Sequence, residues 1–527
     1  MQASDTIYDK IKKTVKHTLI FGVGSIANSA YGFLLLPLYI RRLRASEYGV
    51  LSLLVLTQTL LSIVLKFGLN HAFFRHYYES NDVEHRRRVV GSGLIFLFVA
   101  SGLAVVLLYP AAGSLSAFVF NGDYGRASLM RLVFITSFFE VMTLIPDSIL
   151  RVNFKSGRYS ALSIAALAVQ LVAIAYLVCF VDASANSVMI GRLIGTVFEA
   201  VIFFWAVRKA LNLSFSMHEV RQMLTFGGPL IFGQLSFTLF MMVDRFFIER
   251  YTSDREVGVY ALACSIVSVI QILVTVPFGQ VWTVMRFSVM NDDGAEEYYS
   301  RILTYIVFVS LFFALCISAV AGDVLLLKAL KSYWPCATII PLLALSAAFD
   351  TGGRVLNIGT TLRKRTIFAP LVTGMALLFN VALNFVLIPR YGVMGATVST
   401  LISYIVFCGL RYWSSQIFFK VKYEWSRLFM IVTLGGLITL GFYVIDYLRG
   451  PEPSHALIYL SILVKGAAAL SFPFMLYPAG FYEERERKRI WELAATLTAR
   501  LRQVALPATA RAGISVGATI DDLDESD

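Results

Sequence analysis

The sequence predicts an all-α, polytopic membrane protein: about 14 transmembrane helices in two six-helix lobes, plus two C-terminal helices. Three observations predict it. Of 527 residues, 57% are hydrophobic and only 15% charged, whereas soluble domains carry about a quarter charged residues. Apolar runs near the roughly 20 residues that a bilayer span requires recur along most of the chain. The net charge of +12 is concentrated in short segments between those runs, the pattern of cytoplasmic loops, so no nucleic-acid partner is expected. The five cysteines (Cys179, Cys264, Cys316, Cys336 and Cys408) are scattered without a CxxC pair, which speaks against a disulfide framework or a zinc site.

Taken in order, the first six spans run roughly His17–Ile40, Gly49–Asn70, Val89–Tyr109, Ala127–Leu150, Tyr159–Val181 and Ser187–Val207. The next six are roughly Leu224–Phe247, Val257–Val284, Ile302–Ala321, Ala337–Thr361, Ile367–Ile388 and Val393–Phe419, and two more lie near Leu428–Tyr447 and Ala456–Tyr477. The lysines before the first run imitate a signal peptide, but the run is too long, so it is read as a retained span. The expected division is residues 1–210 and 211–420 for the two lobes, 421–480 for the added pair, and 481–527 for a cytoplasmic amphipathic helix and disordered tail.

Placing both termini inside puts roughly 29 of the 46 basic residues in cytoplasmic segments and about 10 outside. Arg86-Arg87-Arg88, Arg151/Lys155/Arg158 and Arg363-Lys364-Arg365 carry that bias, while Arg41, Arg42 and Arg44 dissent. The expected location is therefore a cytoplasmic membrane, multi-pass, with both ends inside.

The stretch Asn380–Ala396 (NVALNFVLIPRYGVMGA) closes one apolar run and opens another across Pro389-Arg390-Tyr391-Gly392. Proline ends the first helix and glycine eases the reversal. Asn380 and Asn384 stack on one helix face, where buried amides need partners. A fainter counterpart lies at Gln170–Gly195. The halves echo each other elsewhere too: Phe21-Gly22 with Phe226-Gly227, and Glu47-Tyr48-Gly49-Val50 with Glu256-Val257-Gly258-Val259. Repeated bundles with a site between them are a common transporter plan.

On these residues the chain resembles the polysaccharide-transporter branch of the multidrug/oligosaccharidyl-lipid/polysaccharide exporter superfamily, the Wzx-type O-antigen and exopolysaccharide flippases. FG…EYGVLSL, FGLNHAFFRHY at 67–77, Val243-Asp244-Arg245, EVGVYALA and LNFVLIPRYGVMGA carry the resemblance over about the first 420 residues. It implies a bacterial inner membrane and alternating access of a lipid-linked sugar between two lobes. Lipid-linked oligosaccharide and membrane lipids are then the partners, with a polysaccharide polymerase and a chain-length regulator as neighbours.

Charge within a span costs several kcal/mol by insertion scales and marks a functional candidate. Lys66, Arg75, Arg192 and Arg354 are the candidate contacts to a substrate pyrophosphate, because arginine and lysine pair oxyanions. Glu140, Asp147, Glu199 and Asp350 are the candidate carboxylates for coupling to Na+ or H+; no other cofactor is expected. Against those roles, Asp350 and Arg354 can neutralise each other at four-residue spacing, and Lys66, Arg75 and Arg245 can snorkel to the interface. Arg192 lies inside Gly191-x-x-x-Gly195, a close-packing pattern whatever the arginine does. Glu140 has no basic residue at four-residue spacing on its helix, so it needs a partner on another helix or a proton.

Gly22-Val23-Gly24-Ser25-Ile26-Ala27 fits a dinucleotide pattern only by letters, since no strand precedes it. No GxxxxGK[ST] or HExxH occurs, and no enzyme is expected. The rivals are a cation-coupled small-molecule exporter, which would favour an anionic cavity, and a membrane glycosyltransferase or polymerase. Such enzymes usually need a sizeable outer loop, whereas Pro110–Arg126 and Gly322–Pro335 are short. A scaffold without transport is the third.

Overall fold

The computed structural model describes residues 32–488 apart from 33, 81, 153–155, 212–213, 364, 366, 451–452 and 485. Most of the first expected span, the Gly22–Ala27 pattern, Phe21-Gly22, and the tail from 489 lie outside the described residues. The described residues form helices joined by short connections, with no strand among them. The helices are α1 (Ala45–Leu65), α2 (Leu69–Tyr77), α3 (Val83–Leu108), α4 (Ala112–Val119), α5 (Ala127–Met142), α6 (Leu144–Val152), α7 (Ser156–Phe180), α8 (Ala185–Val207) and α9 (Met217–Met242). There follow α10 (Asp244–Tyr251), α11 (Asp254–Ile270), α12 (Val276–Ser288), α13 (Ala295–Lys328), α14 (Cys336–Leu356), α15 (Ile358–Leu362), α16 (Phe368–Phe418), α17 (Trp425–Arg449) and α18 (His455–Met475).

Twelve of the described helical stretches are long and apolar enough to cross a membrane. One of them, α16, is two expected spans joined at Gly392, whose φ of 54° and ψ of −133° leave the helix. Counted as two, α16 brings the spans among the described residues to thirteen, and the first expected span lies mostly outside them. Large apolar side chains such as Phe98, Leu103, Val106, Val172, Phe379, Leu437 and Leu463 are exposed; on a membrane protein these belong against lipid.

Helix starts follow local chemistry. Asp82 caps α3, its carboxylate accepting from the Glu84 and His85 N–H groups at 3.1 Å. Those bonds hold its carboxyl below the usual range. Ser184, Ser253 and Ser454 cap α8, α11 and α18. Two boundaries differ from expectation. α13 continues to Lys328, so Gly322 and the residues after it are helical, because Asp323 is held in an ion cluster described below. The eighth span is broken by a π-turn at Gln271–Thr275.

The main apolar core joins α1 to α11, α13 and α14, with Leu53, Leu54, Val257, Leu262 and Ile340 fully enclosed. A second core holds Leu65, Phe73, Ile145, Ile149 and Met223, and a third packs α17 and α18 on α13 through Leu315, Ile431 and Phe472. Glycines set the closest approaches. A Cβ on Gly191 or Gly195 would overlap Ile174 or Gln170 across the α7–α8 hairpin, and one on Gly395 would overlap Leu387 across the hairpin inside α16. Both fifth-to-sixth-span hairpins thus close on glycine, as their resemblance in sequence suggests. The repeated E-x-G segments behave alike as well: Glu47 accepts from the Ala185 N–H at 2.8 Å, and the Glu256 carboxylate lies against Gly392.

The two repeats also meet each other. α1 crosses α11 where a Cβ on Gly49 would sit 1.9 Å from the Asp254 carbonyl oxygen, and one on Gly258 would sit 1.8 Å from that of Ala45. Toward the other end of α1, Gly68 (φ 73°) and Gly227 touch backbone to backbone, at 2.2 and 2.5 Å by the same measure. Gly68 follows Phe67, which has a φ of 49°; a non-glycine residue in this region costs about 1–2 kcal/mol. The turn Lys66–Gly68 separating α1 from α2 is therefore strained where the two halves touch. His85 approaches Glu219 at 3.3 Å and the Arg75 guanidinium stacks 4.4 Å from the Phe226 ring, reinforcing this contact.

Beside the Gly49–Gly258 crossing, Arg126 forms a bidentate pair with Asp254 (2.9 and 2.5 Å) and Arg250 donates to Asn121 at 2.7 Å. Glu249 is buried next to this group. Burial and the Asp254 carboxylate push its carboxyl up to about 8, against the pull of Arg126. A raised carboxyl pKa stabilises the fold in full below the ordinary glutamate range, and that contribution disappears as pH rises toward 8. Thermal melting of the wild type should therefore fall between pH 5 and 8.5, and Glu249→Gln should flatten that slope. Parallel slopes would remove Glu249 from the account.

Candidate functional site

Sequence placed Lys66 and Glu140 in different roles, substrate contact and ion coupling. The structure makes them partners: Lys66 Nζ lies 2.8 Å from Glu140 Oε1. Ser62 and Gln58, one and two turns before Lys66 on α1, donate to Glu140 Oε2 at 2.9 and 3.0 Å. Glu140 thus has the cross-helix partner that its isolation on α5 demanded. Arg192 on α8 joins the same network by donating to Gln58 Oε1 at 3.2 Å. Gln58 is the link, receiving from the arginine and giving to the carboxylate.

Asp147 pairs with Arg151 at 3.0 Å, and Arg151 also donates to Tyr159. Both neutralise locally, which argues against Asp147 as a free coupling group. Glu199 is half-buried on α8 and lies near Asp147, Glu140 and Lys66. Arg75 stands apart from this network, stacked on Phe226.

The other half carries a related arrangement. Asp350 is buried on α14 and accepts from Arg354 at 3.2 Å, the intrahelical pair that the spacing allowed. A second guanidinium, Arg411 on α16, approaches the same carboxylate at 3.9 Å and stacks 3.7 Å from the Phe407 ring centroid. Gly353 makes room for it, since a Cβ there would lie 2.8 Å from the Arg411 Nη1. Arg411 was missed at the sequence level, although an arginine in the middle of an apolar run satisfies the rule that picked out Arg192. Each half therefore sets a carboxylate from its fourth span near an arginine from its sixth.

A third cluster surrounds Asp244, which is fully buried at the α9–α10 junction. It accepts from Asn384 at 2.6 Å and from the Tyr260 and Thr400 hydroxyls, each at 2.7 Å. Asn384 is in turn bonded to Asn380, which reaches Ser403. The asparagine stripe therefore fastens α16 to α10. Among the described residues Asp244 has no ion pair, and none forms a cluster of three or more metal-ligating His, Cys, Asp or Glu side chains.

Asp323, Lys465, Arg449 and Asp446 make a fourth cluster that sequence reading also left aside. Asp323 and Lys465 are enclosed, with contacts of 3.3 Å between Lys465 and Asp323 and 2.6 Å between Lys465 and Asp446. Arg449 also bonds to Asp323. This cluster ties α17 and α18 to α13. The start of the expected amphipathic segment is clamped nearby in sequence: Glu483 and Glu486 pair with Arg301 and Arg427 at 3.1 and 2.8 Å.

Residues 39–338, more than half of the chain, match the model of the polysaccharide biosynthesis protein family. The chain belongs to that family. Two proteins of Haemophilus influenzae resemble it: an uncharacterized membrane protein is 22% identical over 49% of this chain and 62% of its own length. The Lsg locus putative protein 1 is 21% identical over 50% and 63%. The match therefore spans less than two thirds of either relative. Among solved structures, the lipid II flippase MurJ in an inward closed conformation aligns with a TM-score of 0.71 at 15% identity. That alignment covers 88% of this chain and 99% of MurJ. An inward-facing multidrug resistance MATE family transporter of the MOP superfamily gives 0.61 at 15% identity, covering 75% and 94%. The chain has the fold of these multi-pass membrane transporters.

Proposed function

We propose that the protein is a flippase that moves an undecaprenyl-pyrophosphate-linked oligosaccharide repeat unit across the bacterial inner membrane, serving O-antigen, capsule or exopolysaccharide synthesis. The observation that carries this reading is the balance of the two intramembrane networks. Two carboxylates, Glu140 and Asp350, are joined directly or through Gln58 to four cations, Lys66, Arg192, Arg354 and Arg411, and with Glu199 beside them the cations still outnumber the carboxylates four to three. Such a surplus suits an anionic headgroup better than the cationic drugs of a small-molecule exporter. Family membership favours the polysaccharide pathway, and the transporter fold favours movement of the lipid-linked sugar over its chemical transformation. The two halves would form lobes that rock about the glycine contacts, with both termini cytoplasmic and with polymerase and chain-length regulator as downstream neighbours.

Coupling to Na+ or H+ belongs more naturally to Asp244 than to Glu140. Lys66 neutralises Glu140, while Asp244 is surrounded by neutral oxygen and amide groups. Undecaprenyl-pyrophosphate oligosaccharide in vesicles containing the purified protein provides the test, with sugar exposed on the far leaflet read by an impermeant oxidant. Arg192→Gln and Arg411→Gln should each lower the flipping rate at least about tenfold, the loss of one charge-assisted contact. Wild-type rates in both variants would sink the assignment, and sugar transfer in place of movement would favour the transferase.

A further inference from the structure

A cavity of about 280 Å3 opens at the ends of α6, α7 and α8, lined by Ile149, Leu150, Arg158, Trp205, Arg208 and Lys209. Two guanidiniums converge on a single indole there: Arg158 lies 6.0 Å and Arg208 5.2 Å from the Trp205 ring. Neither they nor Lys209 has an ion pair to a described residue. The neighbouring Arg151 differs, because Asp147 takes its charge. The sequence itself supplies no remedy. No aspartate or glutamate occurs from 148 to 181 or from 200 to 218, the segments that build the cavity.

The helix dipole accounts for only half of this arrangement. Arg208 sits at the C-terminal end of α8, where a cation is favoured. Arg158 stands in the first turn of α7, where the same dipole disfavours it. Three exposed cations therefore crowd one cavity with no carboxylate in the segments that build it, a set that an anionic ligand would complement. Trp205 is 58% exposed, as suits an aromatic ring at the membrane–water interface.

We propose that this cavity binds the phosphate headgroup of an anionic phospholipid in the inner leaflet. The site is separate from the intramembrane networks and rests on the orientation that puts the α6–α7 and α8–α9 connections at the cytoplasmic surface. The phosphate would sit between Arg158, Arg208 and Lys209, with the glycerol and upper acyl chains against Trp205 and Ile149. Basic pockets on this side of a membrane take anionic headgroups, each lysine or arginine contributing about fivefold in affinity.

Trp205 reports its own occupancy. The full-length protein is reconstituted with brominated phosphatidylglycerol or brominated phosphatidylcholine, and the fluorescence lost in Trp205→Phe isolates the Trp205 signal. Phosphatidylglycerol should quench that signal at least fivefold more effectively. The double variant Arg158→Gln/Arg208→Gln should bring the preference close to unity without changing thermal stability. Equal quenching by the two lipids, or a preference that survives the double variant, would overturn the site. Retention of radiolabelled inorganic phosphate by the protein, lost in the double variant, together with equal quenching by the two lipids, would overturn the lipid in favour of free phosphate.

Discussion

Gly258→Val is expected to abolish transport and to lower thermal stability, because the new side chain has nowhere to go. Even its Cβ would lie 1.8 Å from the Ala45 carbonyl oxygen and 3.0 Å from the Gly49 amide nitrogen. Both are backbone atoms of a packed helix and cannot swing aside. α1 and α11 would have to separate, loosening the core formed by Leu53, Leu54, Val257 and Leu262. Overpacking usually costs about 1–3 kcal/mol, and a backbone clash of this depth belongs at or above the upper end. Gly228→Val is the control, since a Cβ at Gly228 meets nothing within 4 Å. Flipping at the wild-type rate by Gly258→Val would show that the crossing is not required closed.

Asp323→Ala should remove about 3–5 kcal/mol, the usual result of stranding a buried cation by deleting its partner. Lys465 and Arg449 would then share Asp446 alone. The double variant Asp323→Leu/Lys465→Leu should recover most of the loss. It removes one charge of each sign and leaves the Arg449–Asp446 pair at 2.9 Å intact. Melting of the purified protein in detergent checks both. A change below about 0.5 kcal/mol for Asp323→Ala would mean the cluster does not hold α17 and α18 in place.

Period and length made the fold legible: apolar runs, turn residues such as Pro389 and Gly392, and loop charge are local properties of a chain. The glycine repeats were legible as repeats. What could not be read was that Gly49 and Gly258 touch one another, because no local pattern encodes which copies meet. The same limit explains Lys66 and Glu140. Each was singled out correctly as an intramembrane charge, but their pairing joins residues 74 positions apart. Asp244 stood out only as part of Val243-Asp244-Arg245, whereas its bonded partners Tyr260, Asn384 and Thr400 come from two other helices. Arg411 and Lys465, each inside an apolar run, satisfy the same local rule and were legible.

The glycine pairs have a consequence for how readily the molecule could change shape. At Gly49–Gly258 and Gly68–Gly227 main chain rests on main chain, with no knob inserted into a hole at the point of contact. Parting such surfaces requires no rotamer to be re-sorted and uncovers little hydrocarbon at the contact itself. The two ends differ in what surrounds the contact: the enclosed core flanks Gly49–Gly258, and the strained turn at Phe67 and Gly68 flanks the other. On the transport reading proposed above, direction would then be left to the cargo and to the charges that hold it.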